Sequence, residues 1–166
     1  RVLFRSVISG TTAGSAVTSF VWLNDKTLLV SRDSRSNIDS ASLYTIDRDG
    51  TNTKLLIAAK SFKNKPGYQV PSFYASYPKF PNKILITINR NSNWREFRDL
   101  YWLDINTRRT ELVARVPSIN NEAVTNWLLD WNGNAKGFGT FMMEGPDMGV
   151  VRSFYKYNQD GSYRSE

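Results

Sequence analysis

Asn93-Trp94-Arg95-Glu96-Phe97-Arg98 is the segment best equipped for chemistry. It alternates aromatic planes with guanidinium groups, the side-chain types that dominate binding energetics and stack on flat partners. Two other polar stretches, 32–40 and 143–151, carry Arg35, Asp39, Glu144 and Asp147. A carboxylate in such a loop can hold a peptide amino terminus through a charge-assisted hydrogen bond. Trp94, Arg95, Glu96, Arg98, Arg35, Asp39, Glu144 and Asp147 are therefore the candidate contacts for a substrate or a neighbouring domain. The competing reading has Trp94 and Phe97 packed beneath their own loop, with the charges solvated.

The composition removes several kinds of catalysis. The 166 residues include no histidine and no cysteine. A Ser-His-Asp triad, a histidine general base, an HExxH centre and thiol chemistry are thus excluded within these residues. Asp47-Arg48-Asp49-Gly50 looks superficially like a calcium loop but lacks the further oxygen ligands and the closing Glu, so it is a turn. Gly137-Phe138-Gly139 lacks the Gly-Lys-Ser/Thr ending of a phosphate loop and lies in a strand pattern. No metal and no cofactor is expected. The net charge of +7 comes from basic residues scattered along the chain rather than gathered in a block, which favours a dispersed basic surface over a nucleic-acid site.

What positions the three loops is a repeat. Leu43-Tyr44-Thr45-Ile46-Asp47, Leu100-Tyr101-Trp102-Leu103-Asp104 and Phe154-Tyr155-Lys156-Tyr157-Asn158 are each an apolar and aromatic run that ends in a turn-forming residue. Their tyrosines stand 57 and then 54 residues apart. Lys26-Thr27-Leu28-Leu29-Val30 is matched 57 residues on by Lys83-Ile84-Leu85-Ile86-Thr87, and more loosely by Ala135 to Gly139. Lys54 to Ala58 is matched at the same spacing by Glu111 to Arg115, and Arg1 to Ser6 has the same character.

Each unit therefore predicts four strands, with the candidate loop between its second and third. The first unit has strands at 19–23, 27–31, 42–47 and 54–58; the second at 73–77, 84–89, 100–104 and 110–114. The third has strands at 126–130, 136–142 and 153–157, and the chain ends where a fourth would begin. The stretch 61–71, with Pro66-Gly67, reads as a loop. Tryptophans at strand positions, Trp22, Trp102, Trp127 and Trp131 among them, read as packing between units.

Four-stranded antiparallel units repeating at this period predict an all-β chain, an antiparallel β-propeller segment of about three blades. A β-sandwich is the rival, but has no reason to repeat internally. The expected divisions are a last strand of a preceding blade at 1–6, blades at 19–58 and 73–115, and an incomplete blade at 125–166. Because closed propellers have typically about four to eight blades, the chain reads as a piece of something longer. Self-association through open blade edges is then a further expectation. No apolar run has the length of a membrane span, and the start lacks a signal-peptide pattern.

Phe20-Val21-Trp22-Leu23-Asn24-Asp25-Lys26-Thr27-Leu28-Leu29-Val30, taken with Leu43 to Gly50, resembles blades of the N-terminal propeller of prolyl oligopeptidase-family serine peptidases. Trp127 to Asn134 looks like the aromatic, Asp and Gly hairpin of a bacterial branch of that family, the dipeptidyl and acylaminoacyl peptidase type. The resemblance implies a non-catalytic propeller that gates and orients peptide substrate above a C-terminal α/β-hydrolase domain, which would hold the Gly-x-Ser-x-Gly nucleophile turn. That hydrolase domain and a peptide are the implied partners, and a periplasmic or secreted site the implied location. The alternative is a TolB-like or WD-repeat-like propeller that acts as a scaffold for a protein partner.

Overall fold

Lys83–Asn89 carries the apolar run Ile84-Leu85-Ile86, and Ile84, Leu85, Ile86 and Thr87 are all buried. Successive side chains of a strand point to opposite faces, so a strand buried at every residue must have other structure on both sides. The computed structural model shows what covers it. It describes residues 16–33, 41–64, 67–89, 98–117, 123–144, 149–158 and 161–165, and every regular element among them is a strand.

Three four-stranded antiparallel sheets stack in chain order. The first contains β1 (Ala16–Trp22), β2 (Thr27–Asp33), β3 (Ser42–Asp47) and β4 (Lys54–Ala58). A short ribbon follows, β5 (Lys60–Ser61) with β6 (Tyr68–Gln69), closed by a bond from the Phe62 amide to the Gly67 carbonyl at 3.0 Å. The second sheet contains β7 (Pro71–Ser76), β8 (Lys83–Asn89), β9 (Arg98–Asp104) and β10 (Thr110–Ala114). The third contains β11 (Ala123–Leu129), β12 (Ala135–Glu144), β13 (Gly149–Tyr157) and β14 (Tyr163–Ser165). In each sheet the strands lie in sequence order, the arrangement of a propeller blade. The chain is an antiparallel β-propeller segment. The strand expected at 1–6 lies outside the described residues. No helix among the described residues is long and apolar enough to cross a membrane.

The core lies between sheets. Leu29, Leu43 and Leu56 of the first sheet meet Ile84, Ile86 and Leu103 of the second. On the opposite face of the second sheet, Leu85 and Leu100 meet Trp127 and Phe138 of the third. Phe138 is surrounded by rings, stacked on Tyr155 at 5.0 Å and edge-on to Trp127 and Tyr163 at 6.1 and 5.4 Å. Burying one such aromatic contributes about 1.5–3 kcal/mol.

The three tyrosines of the repeat are equivalent in space, each on the third strand and on the face toward the preceding sheet. They lie at or opposite the pairs Val30↔Tyr44, Ile86↔Tyr101 and Phe138↔Tyr155. This corrects the sequence alignment of the second strands by one residue. Tyr101 pairs with Ile86, so Val30 corresponds to Ile86 and Leu29 to Leu85, at a spacing of 56 rather than 57. The cause is the loop, which has nine residues between the paired Arg32 and Ser42 but ten between Ile88 and Asp99. Because strand side chains alternate with period two, that single residue decides which cluster Leu85 joins.

The hairpin turns are held by their own carboxylates and amides. Asp104 Oδ1 accepts from the Asn106 and Thr107 amides at 3.0 and 2.7 Å, and Asp130 Oδ1 from the Asn132 and Asn134 amides, both at 2.9 Å. These are Asx turns, in which a side chain substitutes for a backbone acceptor. Trp131 sits on the second of them and is 90% exposed, so it is not the packing residue expected of a strand tryptophan. Trp102 and Trp127 do pack between sheets.

Candidate functional site

The connection from second to third strand holds the same place in the strand order of all three sheets. Residues 34–40, 90–97 and 145–148 lie outside the described residues. Arg35, Asp39, Trp94, Arg95, Glu96 and Asp147 fall there. Glu144 ends β12, with its side chain likewise outside the description. What the structure shows is how the loops are anchored.

The base of the 90–97 loop is held by two buried polar residues. Asn89, the last residue of β8, accepts from the Val70 amide at 2.5 Å and donates through Nδ2 to the Tyr68 carbonyl at 2.8 Å. Asp99, near the start of β9, accepts from the Val116 amide at 2.9 Å. All three bonds satisfy backbone groups of the segments that carry the chain into and out of the second sheet. An unpaired buried amide would cost about 1–3 kcal/mol, so these side chains pin the loop base to its surroundings. Sequence reading missed them. The available signal was a polar residue at each inner edge of a loop, interrupting otherwise apolar strands.

Arg98 is half-buried at the same base. Its Nη1 donates to Ser72 Oγ at 2.7 Å, and its carbonyl accepts from Trp127 Nε1 at 3.3 Å. The residue thus links β7, β9 and the third sheet. Ser72 lines a cleft of about 180 Å³ between the first and second sheets at this end. Ser19, Ser31, Ser42 and Thr18 also line it, with Leu43 and Phe73 among its apolar residues. Arg32, another lining residue, holds its guanidinium 5.7 Å from the centre of the Tyr44 ring.

Hydroxyl groups both donate and accept, and a small cleft lined by them suits the alternating amide and carbonyl groups of an extended peptide. The residues that line it carry hydroxyls, apolar groups and, at Arg32, a guanidinium. Among the described residues, no group of three His, Cys, Asp or Glu could hold a metal ion.

A scan against family models and a search of curated proteins return no match. Solved structures do match. An oligogalacturonate lyase in complex with manganese superposes with a TM-score of 0.53 at 12% identity, over 85% of this chain and 33% of that one. TolB from Acinetobacter baumannii gives 0.48 at 17% identity, over 91% of this chain and 32% of that one. The lyase likeness is one of fold alone. This chain spans about one third of the length of either protein.

Proposed function

We propose that this chain is the non-catalytic propeller portion of a prolyl oligopeptidase-type serine peptidase, gating and orienting peptide substrate over an α/β-hydrolase domain. The observation that carries this reading is the hydroxyl-lined cleft between the first and second sheets, beside which Arg98 ties the start of β9 to Ser72. The resemblance of Phe20 to Val30 and of Trp127 to Asn134 to blades of that family supports it. A rigid stack limits access by geometry, admitting an extended peptide and turning away a folded chain.

The test is the coding frame beyond Glu166. The reading requires further blades, then Gly-x-Ser-x-Gly, then Asp and His in that order. A frame with further blades and a stop overturns it.

A second reading, a scaffold for a protein partner, is favoured by Trp131. This side chain is 90% exposed on a turn held by Asp130, and tryptophan on a rigid mount is typical of binding hot spots. The same frame decides between the two.

A further inference from the structure

The basic residues are scattered along the chain, but the acidic ones are not. Of the 22 Lys and Arg, eight lie in residues 50–95, a stretch without a single Asp or Glu. The other 14 are set against all 15 Asp and Glu, so this one segment supplies the whole of the net charge of +7. Three of the eight are engaged near the turns. Lys54 Nζ donates to the Ile105 and Asn106 carbonyls at 2.8 and 3.0 Å, Lys79 Nζ donates to Asn132 Oδ1 at 2.7 Å, and Lys83 stands 3.6 Å from Glu111. Lys65, Arg90 and Arg95 lie outside the described residues. Lys60 and Lys63 remain, both exposed, with side chains that hold no hydrogen bond or ion pair among the described residues.

These two lysines belong to the β5–β6 ribbon, and the ribbon rises from the rim of the hydroxyl-lined cleft. At its first foot the Ala59 amide bonds to the carbonyl of Ala41, a cleft-lining residue, at 2.7 Å. At its second foot Val70, which follows β6, lines the cleft and is fastened through its amide to Asn89. The same Asn89 side chain holds the Tyr68 carbonyl, so the ribbon cannot swing from the cleft without breaking both bonds. Among the described residues no Asp or Glu lines the cleft, and its charged lining residue is Arg32.

We propose that the cleft takes an acidic peptide, whose carboxylates are drawn in by Lys60 and Lys63 on the ribbon. The inference rests on the reading of the cleft as a peptide site and names the class of peptide. Its argument is charge complementarity. A surface of one sign beside an apolar-walled cleft concentrates ligands of the opposite sign and turns away those of its own. Hydroxyls bond a peptide backbone whatever its side chains, so the preference among peptides falls to the lysines. A nucleic acid fits less well, because the ribbon's rings, Phe62 and Tyr68, are half-buried rather than presented as the open planes on which bases stack.

The experiment measures fluorescence anisotropy of a labelled peptide of alternating Ser and Glu, and of its Ser and Gln isostere, with the 166-residue chain. It is repeated with rising salt and with the double variant Lys60→Glu, Lys63→Glu, whose exposed positions leave the melting temperature unchanged. The Glu peptide is expected to bind about tenfold more tightly than the isostere at low salt, with the gap closing as salt rises. The double variant brings the Glu peptide down to the isostere's affinity or below and leaves the isostere where it was. Equal binding of the two peptides by the wild type overturns the inference while the peptide reading of the cleft stands. A double variant that weakens both peptides alike also overturns it, since the ribbon would then act by shape. Binding of neither peptide overturns the peptide reading itself and this inference with it. A labelled single-stranded oligonucleotide that binds more tightly than the Glu peptide overturns the acidic peptide in favour of nucleic acid.

Discussion

The phenol of Tyr74 bonds twice to the backbone of Trp127, donating to its carbonyl at 2.7 Å and accepting from its amide at 2.8 Å. Tyr74 lies on the first strand of the second sheet, and Trp127 on the first strand of the third. The bonds occupy groups on the free edge of β11, which no neighbouring strand within that sheet can reach. One hydroxyl thus joins two sheets and caps an edge.

Tyr74→Phe removes that hydroxyl and leaves both groups of Trp127 unmatched. Urea denaturation is expected to show a loss of about 1–3 kcal/mol. Burial raises the Tyr74 pKa, so its contribution is complete below the unfolded value of about 10 and falls as pH rises past it. The alkaline loss of stability should therefore be smaller in the variant. An identical alkaline midpoint would contradict the assignment.

Trp127 and Trp131 are four residues apart and should respond in opposite ways. Trp127 is 5% exposed in the cluster around Phe138, and Trp127→Ala is expected to cost about 3–5 kcal/mol. Trp131→Ala should stay within about 0.5 kcal/mol, as solvent-exposed substitutions do. Thermal melts of the two variants, run side by side, check the contrast.

Gly133→Ala tests the seat of Trp102. Gly133 has a φ of 76°, and a Cβ there would run into the Trp102 ring. That ring is also held edge-on by Phe80 at 5.4 Å and Tyr77 at 6.0 Å, which leaves it little room to move. Strain and overpacking together predict a loss of roughly 1–3 kcal/mol. A variant as stable as the wild type would mean that the ring yields freely.

Asp130 gives the acid response. Its hydrogen bonds from Asn134, the side chain foremost, lower its pKa to about 2. A lowered carboxylate pKa contributes stability above the unfolded value of about 3.9, and that contribution is lost as pH falls toward 2. In Asp130→Asn the loss of stability between pH 4 and pH 2 should be shallower than in the wild type. Parallel pH profiles of the urea midpoint would count against the turn's role.

The resemblance of the repeated strands to one another carried most of the fold. Leu43 to Asp47 and Leu100 to Asp104 announce third strands because alternating burial and a turn-forming end are local requirements, met by neighbours in sequence. The blade order follows, since short turns leave consecutive strands little choice but to pair. The candidate site was less legible. The loops at 32–40, 90–98 and 143–151 could be placed at equivalent points of the repeat, but Asn89, Asp99 and Ser72 could not be singled out. Their meaning depends on Val70, Val116 and Arg98, which other parts of the chain bring to them.

By itself, then, the sequence determined that this is a stack of four-stranded units without histidine or thiol chemistry, because composition and short-range pattern suffice for both. The tertiary structure alone decided which residues face which sheet. One extra residue in the second unit's loop moves Leu85 from the position of Leu28 to that of Leu29. A strand registers such a shift as a change of face, and only the pairing partner reveals it. The tertiary structure also decided that Phe73 and Trp127 are covered while Phe20 is not, since burial belongs to the neighbour as much as to the residue.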